Sequence, residues 1–114
     1  MKISEVAERS GLRISTIRFH ERSGFCPFVQ RGSDGKRNFS KTDADWLELL
    51  ASLRSTGMPL AEMQAFAELY ASGDDKIPER KATLLAHGRR LDDRQAELDR
   101  CRAILERKLK RYDG

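Results

Sequence analysis

Side chains that suit a nucleic-acid ligand lie close together between Ile14 and Phe25. Ile14 and Ile17 are three residues apart, so on a helix they share one face and can point into a core. The rest of that helix would present hydroxyls, guanidinium groups and flat rings, which bind phosphates and base edges. These side chains are Ser15, Thr16, Arg18, Phe19, His20 and Arg22. The pattern predicts a short helix, ended by Gly24, that meets nucleic acid. An ordinary surface helix with a polar outer face is the alternative.

Two further elements are expected to position this helix. Ile3, Val6 and Ala7 have helical spacing and predict a short helix before it, with a tight turn at residues 11–12. A hairpin is predicted after it at residues 28–39, which we call the wing. Asp34-Gly35 is a two-residue turn signal, because both positions of the favoured turn have positive φ.

The wing has apolar residues in its predicted strands and basic residues near its tip. Phe28, Val29 and Phe39 would anchor its strands to a core. The basic residues near its tip are Arg31, Lys36 and Arg37. Such a hairpin suits a position along a phosphate backbone, although a plain surface loop would have the same sequence pattern.

Two longer helices follow the wing. Ser40 and Asp43 predict a capping box at the start of a helix that runs to about Ser55, and Pro59 fits the first turn of the next helix. Their predicted buried face comprises Trp46, Leu49, Leu50, Leu53, Leu60, Met63, Phe66, Ala67 and Tyr70. The pattern breaks at residues 72–75, so we expect a head at residues 1–74 and a separate helix at residues 75–114.

That last helix has an apolar residue at every seventh position. We call this set the leucine stripe: Leu84, Leu91, Leu98, Leu105 and Tyr112. A sustained heptad repeat is typical of a coiled coil. A helix of this length cannot be covered by so small a head, so the stripe predicts a homodimer. Folding of the helix back onto its own head is the alternative. The second heptad position holds few apolar residues, so contacts from the heads are expected to help hold the dimer.

Composition narrows the function classes. Residues 1–40 contain eight Lys and Arg against four Asp and Glu, whereas residues 41–114 contain fourteen Lys and Arg and fourteen Asp and Glu, so the positive excess lies in residues 1–40. That asymmetry favours a polyanionic partner. There is no long apolar run and no signal peptide, and two cysteines are too few for a disulfide framework. We therefore expect a cytoplasmic protein that is not bound to a membrane.

Enzyme and metal motifs are not found. The sequence has no glycine-rich phosphate loop, no Cys-x-x-Cys and no His-Glu-x-x-His. His20, Cys26, His87 and Cys101 are scattered without ligand-like spacing. We expect neither catalysis, nor a cofactor, nor a metal.

Several motifs together resemble the MerR family of dimeric bacterial winged helix-turn-helix transcription regulators. They are Ile3-Ser4-Glu5-Val6-Ala7, Gly11-Leu12, Thr16-Ile17-Arg18-Phe19-His20-Glu21, Gly24-Phe25, Pro27, Gly35-Lys36-Arg37-Asn38-Phe39 and residues 53–60. The resemblance covers essentially the whole chain. It implies a mainly α fold with a winged helix-turn-helix head and a long dimerisation helix, paired antiparallel with that of a second subunit.

The resemblance also implies a function. Such regulators bind pseudo-palindromic promoter DNA and bend and untwist an overlong spacer for RNA polymerase. Arg18 is our leading candidate for a phosphate or base contact, and Arg37 leads in the wing. A coiled-coil adaptor whose head binds protein instead of DNA is the alternative. Because the chain ends two residues after Tyr112, we expect no drug-binding effector domain, as in short relatives of the family that respond to aldehyde or thiol stress.

The two cysteines are the candidates for a thiol switch. Some of those short relatives place a cysteine in the third helix, where this chain has Ser52. A switch would then use Cys26 or Cys101. Cys26 is the preferred candidate, because the nearby cation Arg22 would favour its reactive thiolate. Cys101 lies beside the leucine stripe, where burial would make it inert. For both residues, the alternative is a small buried apolar side chain.

Overall fold

The order of elements along the chain is two short helices, a hairpin, two longer helices and one very long helix. The computed structural model describes residues 1–26 and 30–114. Its elements are α1 (Ile3–Ser10), α2 (Ile14–Arg22), β1 (Gln30–Arg31), β2 (Arg37–Asn38), α3 (Lys41–Ser55), α4 (Leu60–Ala71), a 3₁₀ turn (Asp74–Lys76) and α5 (Ile77–Asp113). The mainly α fold with a long C-terminal helix is therefore confirmed. In the described residues, no helix is long and apolar enough to cross a membrane.

Local sequence signals explain where the helices begin and end. Gly11 follows α1 with a φ of 74°, and its N–H donates to the Ala7 carbonyl, which closes the last turn. The predicted capping box at α3 is present: the Asp43 N–H donates to the Ser40 hydroxyl at 3.0 Å, and the Ser40 N–H donates to the Asp43 carboxylate at 2.8 Å. Pro59 stands one residue earlier than expected, as the residue that precedes α4 rather than in its first turn.

The hairpin forms, but its turn differs from the predicted one. Only Gly35 has a positive φ, of 80°, and Asp34 does not. The Gly32 N–H donates to the Lys36 carbonyl at 2.7 Å, so the loop has three residues with glycine in the last position. The Asp34 carboxylate accepts from the Lys36 N–H at 3.0 Å, which stabilises this loop in place of the two-residue turn. Phe28 and Val29, the predicted anchors, lie outside the described residues.

One apolar core joins the first four helices to the end of the hairpin. Among the described residues, its largest fully buried side chains are Val6, Ile17, Phe39, Leu47, Leu50, Met58 and Met63. Trp46 lies among them, stacked on Phe66 with ring centroids 5.2 Å apart, and its indole N–H donates to the Phe25 carbonyl at 2.7 Å. This bond satisfies the one polar group of a large buried ring. Leu47 was not on the predicted buried face, and Leu60, which was, is exposed.

The chain divides into two compact units, an N-terminal unit (Met1–Lys81) and a C-terminal unit (Ala82–Gly114). The first turn of α5 belongs with the N-terminal unit, because the Arg80 guanidinium lies over the Tyr70 ring, 5.0 Å from its centroid. A pair of this kind is a favourable cation–π contact. The compact unit thus extends beyond residue 74, where we placed the end of the head. That domain boundary itself stays a prediction.

Candidate nucleic-acid interface

The outer face of α2 carries most of the predicted contact residues at its surface. Ile17 is 1% exposed and holds α2 to the core, as the spacing predicts. Ser15, Arg18, Phe19 and Arg22 are exposed, and Thr16 is half-buried. The helix therefore presents a hydroxyl, two guanidinium groups and an aromatic ring on one accessible element.

His20 is the exception on this helix. Its side chain is 2% exposed and lies between two rings, with centroids 5.8 Å from Phe19 and 5.5 Å from Phe25. Burial, and then the positive charge of Arg54, lower the pKa of His20 and keep it neutral. This burial is at odds with our prediction that His20 contacts nucleic acid, because its ring is packed inside the protein. Residue type alone did not distinguish a surface histidine from a buried one.

Arg37 connects the wing to α2. Its guanidinium Nε donates to a carboxylate oxygen of Glu21, and both side chains are partly buried. An ion pair shielded in this way is stronger than an exposed one, because less water screens it. Arg37 therefore fixes the hairpin beside the helix. Lys36, the next residue toward the tip, is exposed. Arg31 pairs with Arg37 through the backbone ladder, and its side chain lies outside the described part of the chain.

An open cavity lies where α1, α2 and the hairpin meet. Its volume is about 410 Å³, and its lining includes Lys2, Ser4, Arg18, Lys36 and Arg37. Four of these five residues are basic. Within the described residues, Lys2 precedes α1 without a side-chain capping bond, so the first amide groups of that helix also stay available. Amides at a helix start together with several cations make a site suited to a phosphate.

Two residues of this cavity were missed by the sequence analysis. Lys2 and Ser4 stand far from Lys36 in the sequence, and only the fold places them together. One local signal existed: a lysine occupies the position before α1, where a capping hydroxyl or carboxylate is usual. That absence leaves the helix start open to an external anion.

The two cysteines differ in exposure, and Cys26 has the buried environment given above as the alternative. Cys26 is 3% exposed, and burial, followed by the negative charge of Asp43, raises the pKa of its thiol to about 12. The prediction that Arg22 favours a reactive Cys26 thiolate is therefore wrong. Cys101 is exposed in the single chain. Among the described residues, no group of three or more His, Cys, Asp or Glu side chains is placed to hold a metal ion.

The leucine stripe lies open along α5. Its exposed fractions are 38% at Leu84, 41% at Leu91, 55% at Leu98, 56% at Leu105 and 74% at Tyr112. Three more large apolar residues of the C-terminal unit, Leu85, Ile104 and Leu109, are also exposed. Leu105, Leu109 and Tyr112 have i, i+4, i+7 spacing, so near the end of α5 the stripe broadens to two apolar positions per heptad.

In this chain a turn joins two short helices, and a basic hairpin is held against the second helix. These features define a winged helix-turn-helix DNA-binding protein. Comparison with known proteins specifies the class further. Residues 1–69 match the MerR HTH family regulatory protein, and residues 44–108 match the family described as MerR, DNA binding. The chain belongs to the MerR family of DNA-binding transcriptional regulators, as its motifs indicated.

Individual relatives agree in sequence and in fold. An uncharacterized HTH-type transcriptional regulator of Haemophilus influenzae is 38% identical over 109 residues, which cover 96% of this chain and 81% of the relative. The HTH-type transcriptional regulator AdhR of Bacillus subtilis is 32% identical over 80% of this chain and 65% of its own length. Among solved structures, this chain is similar to the crystal structure of HiNmlR, a MerR family regulator lacking the sensor domain, bound to promoter DNA. The two chains superpose with a TM-score of 0.87 at 37% sequence identity, and the match covers 98% of this chain and 89% of the HiNmlR chain.

Proposed function

We propose that this regulator binds a pseudo-palindromic promoter element as a homodimer. Each subunit places α2 in a major groove and its wing along the adjoining backbone. The observation that carries the proposal is the cavity of about 410 Å³ at which Lys2, Arg18, Lys36 and Arg37 meet beside the open start of α1. A phosphate there is met by several cations and by free amide groups at once.

The residues divide into three roles. Arg18 reads a base edge or grips a phosphate, supported on the exposed face by Ser15, Thr16, Phe19 and Arg22. Lys2 and Lys36 neutralise the backbone without regard to sequence. Arg37 acts mainly through Glu21, because their ion pair sets the position of the wing relative to α2.

The homodimer is argued from α5. The helix has 37 residues, so it is about 55 Å long. It exposes five stripe residues to solvent along the C-terminal unit. A contiguous apolar stripe of this length is stable only when covered, and a second α5 has a matching face. Family membership supports antiparallel pairing, and such a dimer would set the spacing of the two half-sites.

Family membership also supports the last part of the proposal. The bound dimer distorts its promoter, which brings the element into a form that RNA polymerase uses, in the cytoplasm. Pyrimidine–purine steps near the centre of the site would lower the cost of bending. The relatives are transcriptional regulators, and we propose no catalytic role for this chain.

The test begins with selection of bound duplexes from random DNA, followed by fluorescence anisotropy across about 50 to 200 mM salt. Arg18→Ala should cost about 1–3 kcal/mol on the selected site. Lys36→Ala should weaken binding to selected and scrambled duplexes equally. It should also reduce by about one the slope of the logarithm of the binding constant against the logarithm of the salt concentration. Arg89→Ala, an exposed arginine of α5, is the charge-matched control and should bind as the wild type does.

Glu21→Gln separates positioning by Arg37 from direct contact. The variant removes a negative charge close to the DNA, so simple electrostatics predicts tighter binding. If Glu21 holds the wing through Arg37, binding weakens instead. Wild-type affinity and salt dependence in both Arg18→Ala and Lys36→Ala would contradict the interface and favour a coiled-coil adaptor that binds protein.

A further inference from the structure

A second cleft lies in the N-terminal unit between α2, α3 and the start of α4. Its volume is about 290 Å³. The residues that line it are Leu12, Thr16, Phe19, His20, Ala51, Arg54, Ser55 and Leu60. Apart from Thr16 and Phe19 on α2, it shares no side chain with the proposed DNA contacts, and none of the basic residues of the larger cavity lines it.

The walls of this cleft are apolar and partly open to solvent. Phe19 is 40% exposed and Leu60 is 38% exposed, although both are large apolar side chains beside a well-formed core. Leu12 is half-buried and completes the apolar lining. Apolar surface that stays exposed within a concave site is the usual lining of a small-molecule pocket.

His20 supplies a hydrogen-bonding group that the fold leaves unused. Its side chain is 2% exposed, and its Nδ1 has no hydrogen-bond partner among the residues that the structure describes. An unpaired buried nitrogen is costly, but this one has less than 1 Å² of accessible surface, so a ligand can pair with it only after the surrounding side chains move. Because the ring stays neutral, this nitrogen can either donate or accept, depending on its tautomer.

Arg54 gives the cleft its charge. Its guanidinium lines the site and makes no ion pair with any described acidic side chain. A carboxylate, like a phosphate, fits a guanidinium with two parallel hydrogen bonds, and an aromatic carboxylate also suits the apolar walls. The cleft therefore combines apolar walls with one unpaired cation.

We propose that this cleft binds a small aromatic carboxylate, with its ring between Phe19 and Leu60 and its carboxylate on Arg54. The volume equals about ten water molecules, which limits the ligand to a single ring with a short acidic arm. Because Thr16 and Phe19 belong to α2, occupancy changes the face that meets DNA. This regulatory consequence rests on the proposed function, whereas binding of the carboxylate does not.

The probe is trans-cinnamate, and the neutral trans-cinnamamide is its isostere. Each is titrated into the ¹⁵N-labelled full chain and followed by ¹H–¹⁵N correlation spectra. Cinnamate should give saturable shifts at the amides of Phe19, Ala51 and Leu60. Arg54→Gln should weaken the affinity for cinnamate at least about tenfold, because it removes a charge-assisted hydrogen bond. It should leave the affinity for cinnamamide, which binds more weakly, unchanged.

Two further variants keep the test decisive. Leu60→Gln changes an exposed side chain at the start of α4, so the fold is retained. This variant should weaken the binding of both probes. Arg89→Gln removes the same charge elsewhere and should weaken neither. Absent shifts, shifts confined to Lys2 and Lys36, or shifts indifferent to Arg54→Gln would each overturn the proposal. If Arg54→Gln weakens DNA binding while cinnamate does not bind, Arg54 is a phosphate contact and the cleft is not a ligand site.

Operator binding is measured in parallel on the same samples. Saturating cinnamate should shift the operator affinity of the wild type, and bound operator should shift cinnamate affinity by the same factor. An unchanged operator affinity at saturation would overturn the regulatory role. A wild type that binds no DNA at all would refute the proposed function, whereas normal DNA binding without cinnamate binding refutes the cleft alone.

Discussion

The N-terminal unit buries most of its large apolar side chains, whereas the C-terminal unit exposes its own. Leu50 on α3 is 0% exposed and Leu98 on α5 is 55% exposed, although both are leucines on well-formed helices. The four helices and hairpin of the first unit bend back on one another and cover a common core. A single helix has no neighbour of its own to provide such cover. The contrast agrees with the proposed homodimer, in which a second subunit would cover the exposed face of α5.

The strongest test of this contrast is to make the leucine stripe polar. Leu98→Gln with Leu105→Gln should give monomers by light scattering, because the exposed apolar face no longer gains by pairing. Operator affinity should fall by about 10²–10⁴-fold, which is the avidity lost when two linked heads become one. Trp46 fluorescence should remain native, because Trp46 belongs to the other unit.

The matched control for the stripe is Glu97→Gln with Glu106→Gln, on exposed neighbouring positions of the same helix. It should stay dimeric and bind the operator with roughly wild-type affinity. Should the stripe variant also remain dimeric, α5 would not be the dimerisation element, and its exposed leucines would need another explanation.

Each unit contains one cysteine, which gives a probe of a smaller effect. Cys26 is buried with a pKa raised to about 12, so its thiolate is scarce at neutral pH, whereas Cys101 is exposed in the single chain. In the monomeric stripe variant, a maleimide should label Cys101 at least about tenfold faster than Cys26. In the wild-type dimer, pairing of α5 should slow the labelling of Cys101.

Single-thiol variants Cys26→Ser and Cys101→Ser assign the two rates. Equal labelling of Cys26 and Cys101 in the monomer would show that the N-terminal unit opens easily and would weaken the comparison. Because Cys26 lacks a reactive thiolate, promoter output under an electrophile should not depend on it.

The smallest effect concerns the pH dependence of the N-terminal unit. Burial and the charge of Arg54 lower the pKa of His20, so the fold favours the neutral ring. Its contribution to stability is therefore complete above the unfolded pKa of about 6.5 and is lost as pH falls below that value. Urea unfolding between about pH 7.5 and 5.5 should show a loss of stability that is smaller in His20→Phe.

The loss of stability at low pH in Arg54→Gln should lie between the losses in the wild type and in His20→Phe. This variant removes the charge of Arg54, which is one cause of the lowered His20 pKa, and leaves the other cause, burial. An identical pH dependence in all three proteins would mean that the pKa of His20 is the same in the folded and the unfolded chain. The core that surrounds it would then be more open to water than its 2% exposure indicates.

Much of the fold was predictable because its signals are local. Ile17 places α2 on the core, Ser40 and Asp43 cap α3, and the glycines at positions 11, 24 and 57 take the positive φ values that end helices. The turn at Asp34-Gly35 was placed correctly in the chain but assigned the wrong geometry. Its type depends on the Asp34 carboxylate bonding the Lys36 amide, which residue preference alone does not reveal.

The candidate interface was predictable only in part. The exposed face of α2 and the basic hairpin follow from residue types and their spacing. Lys2 and Ser4 were missed, because they reach the cavity from the other end of the unit. His20 was placed at the surface, although three of its neighbours, Phe19, Phe25 and Arg54, enclose or face it from two parts of the chain.

The sequence by itself determined the order and limits of the helices, the family, the concentration of positive charge in residues 1–40 and the leucine stripe of α5. All of these depend on residues within a turn or a heptad of each other, or on simple counts. Tertiary structure alone decided that Arg37 pairs with Glu21, that Cys26 lies under the charge of Asp43 and that Arg54 faces His20. Each of these relations joins residues 16 or more positions apart, so burial and charge at these sites exist only once the chain has packed.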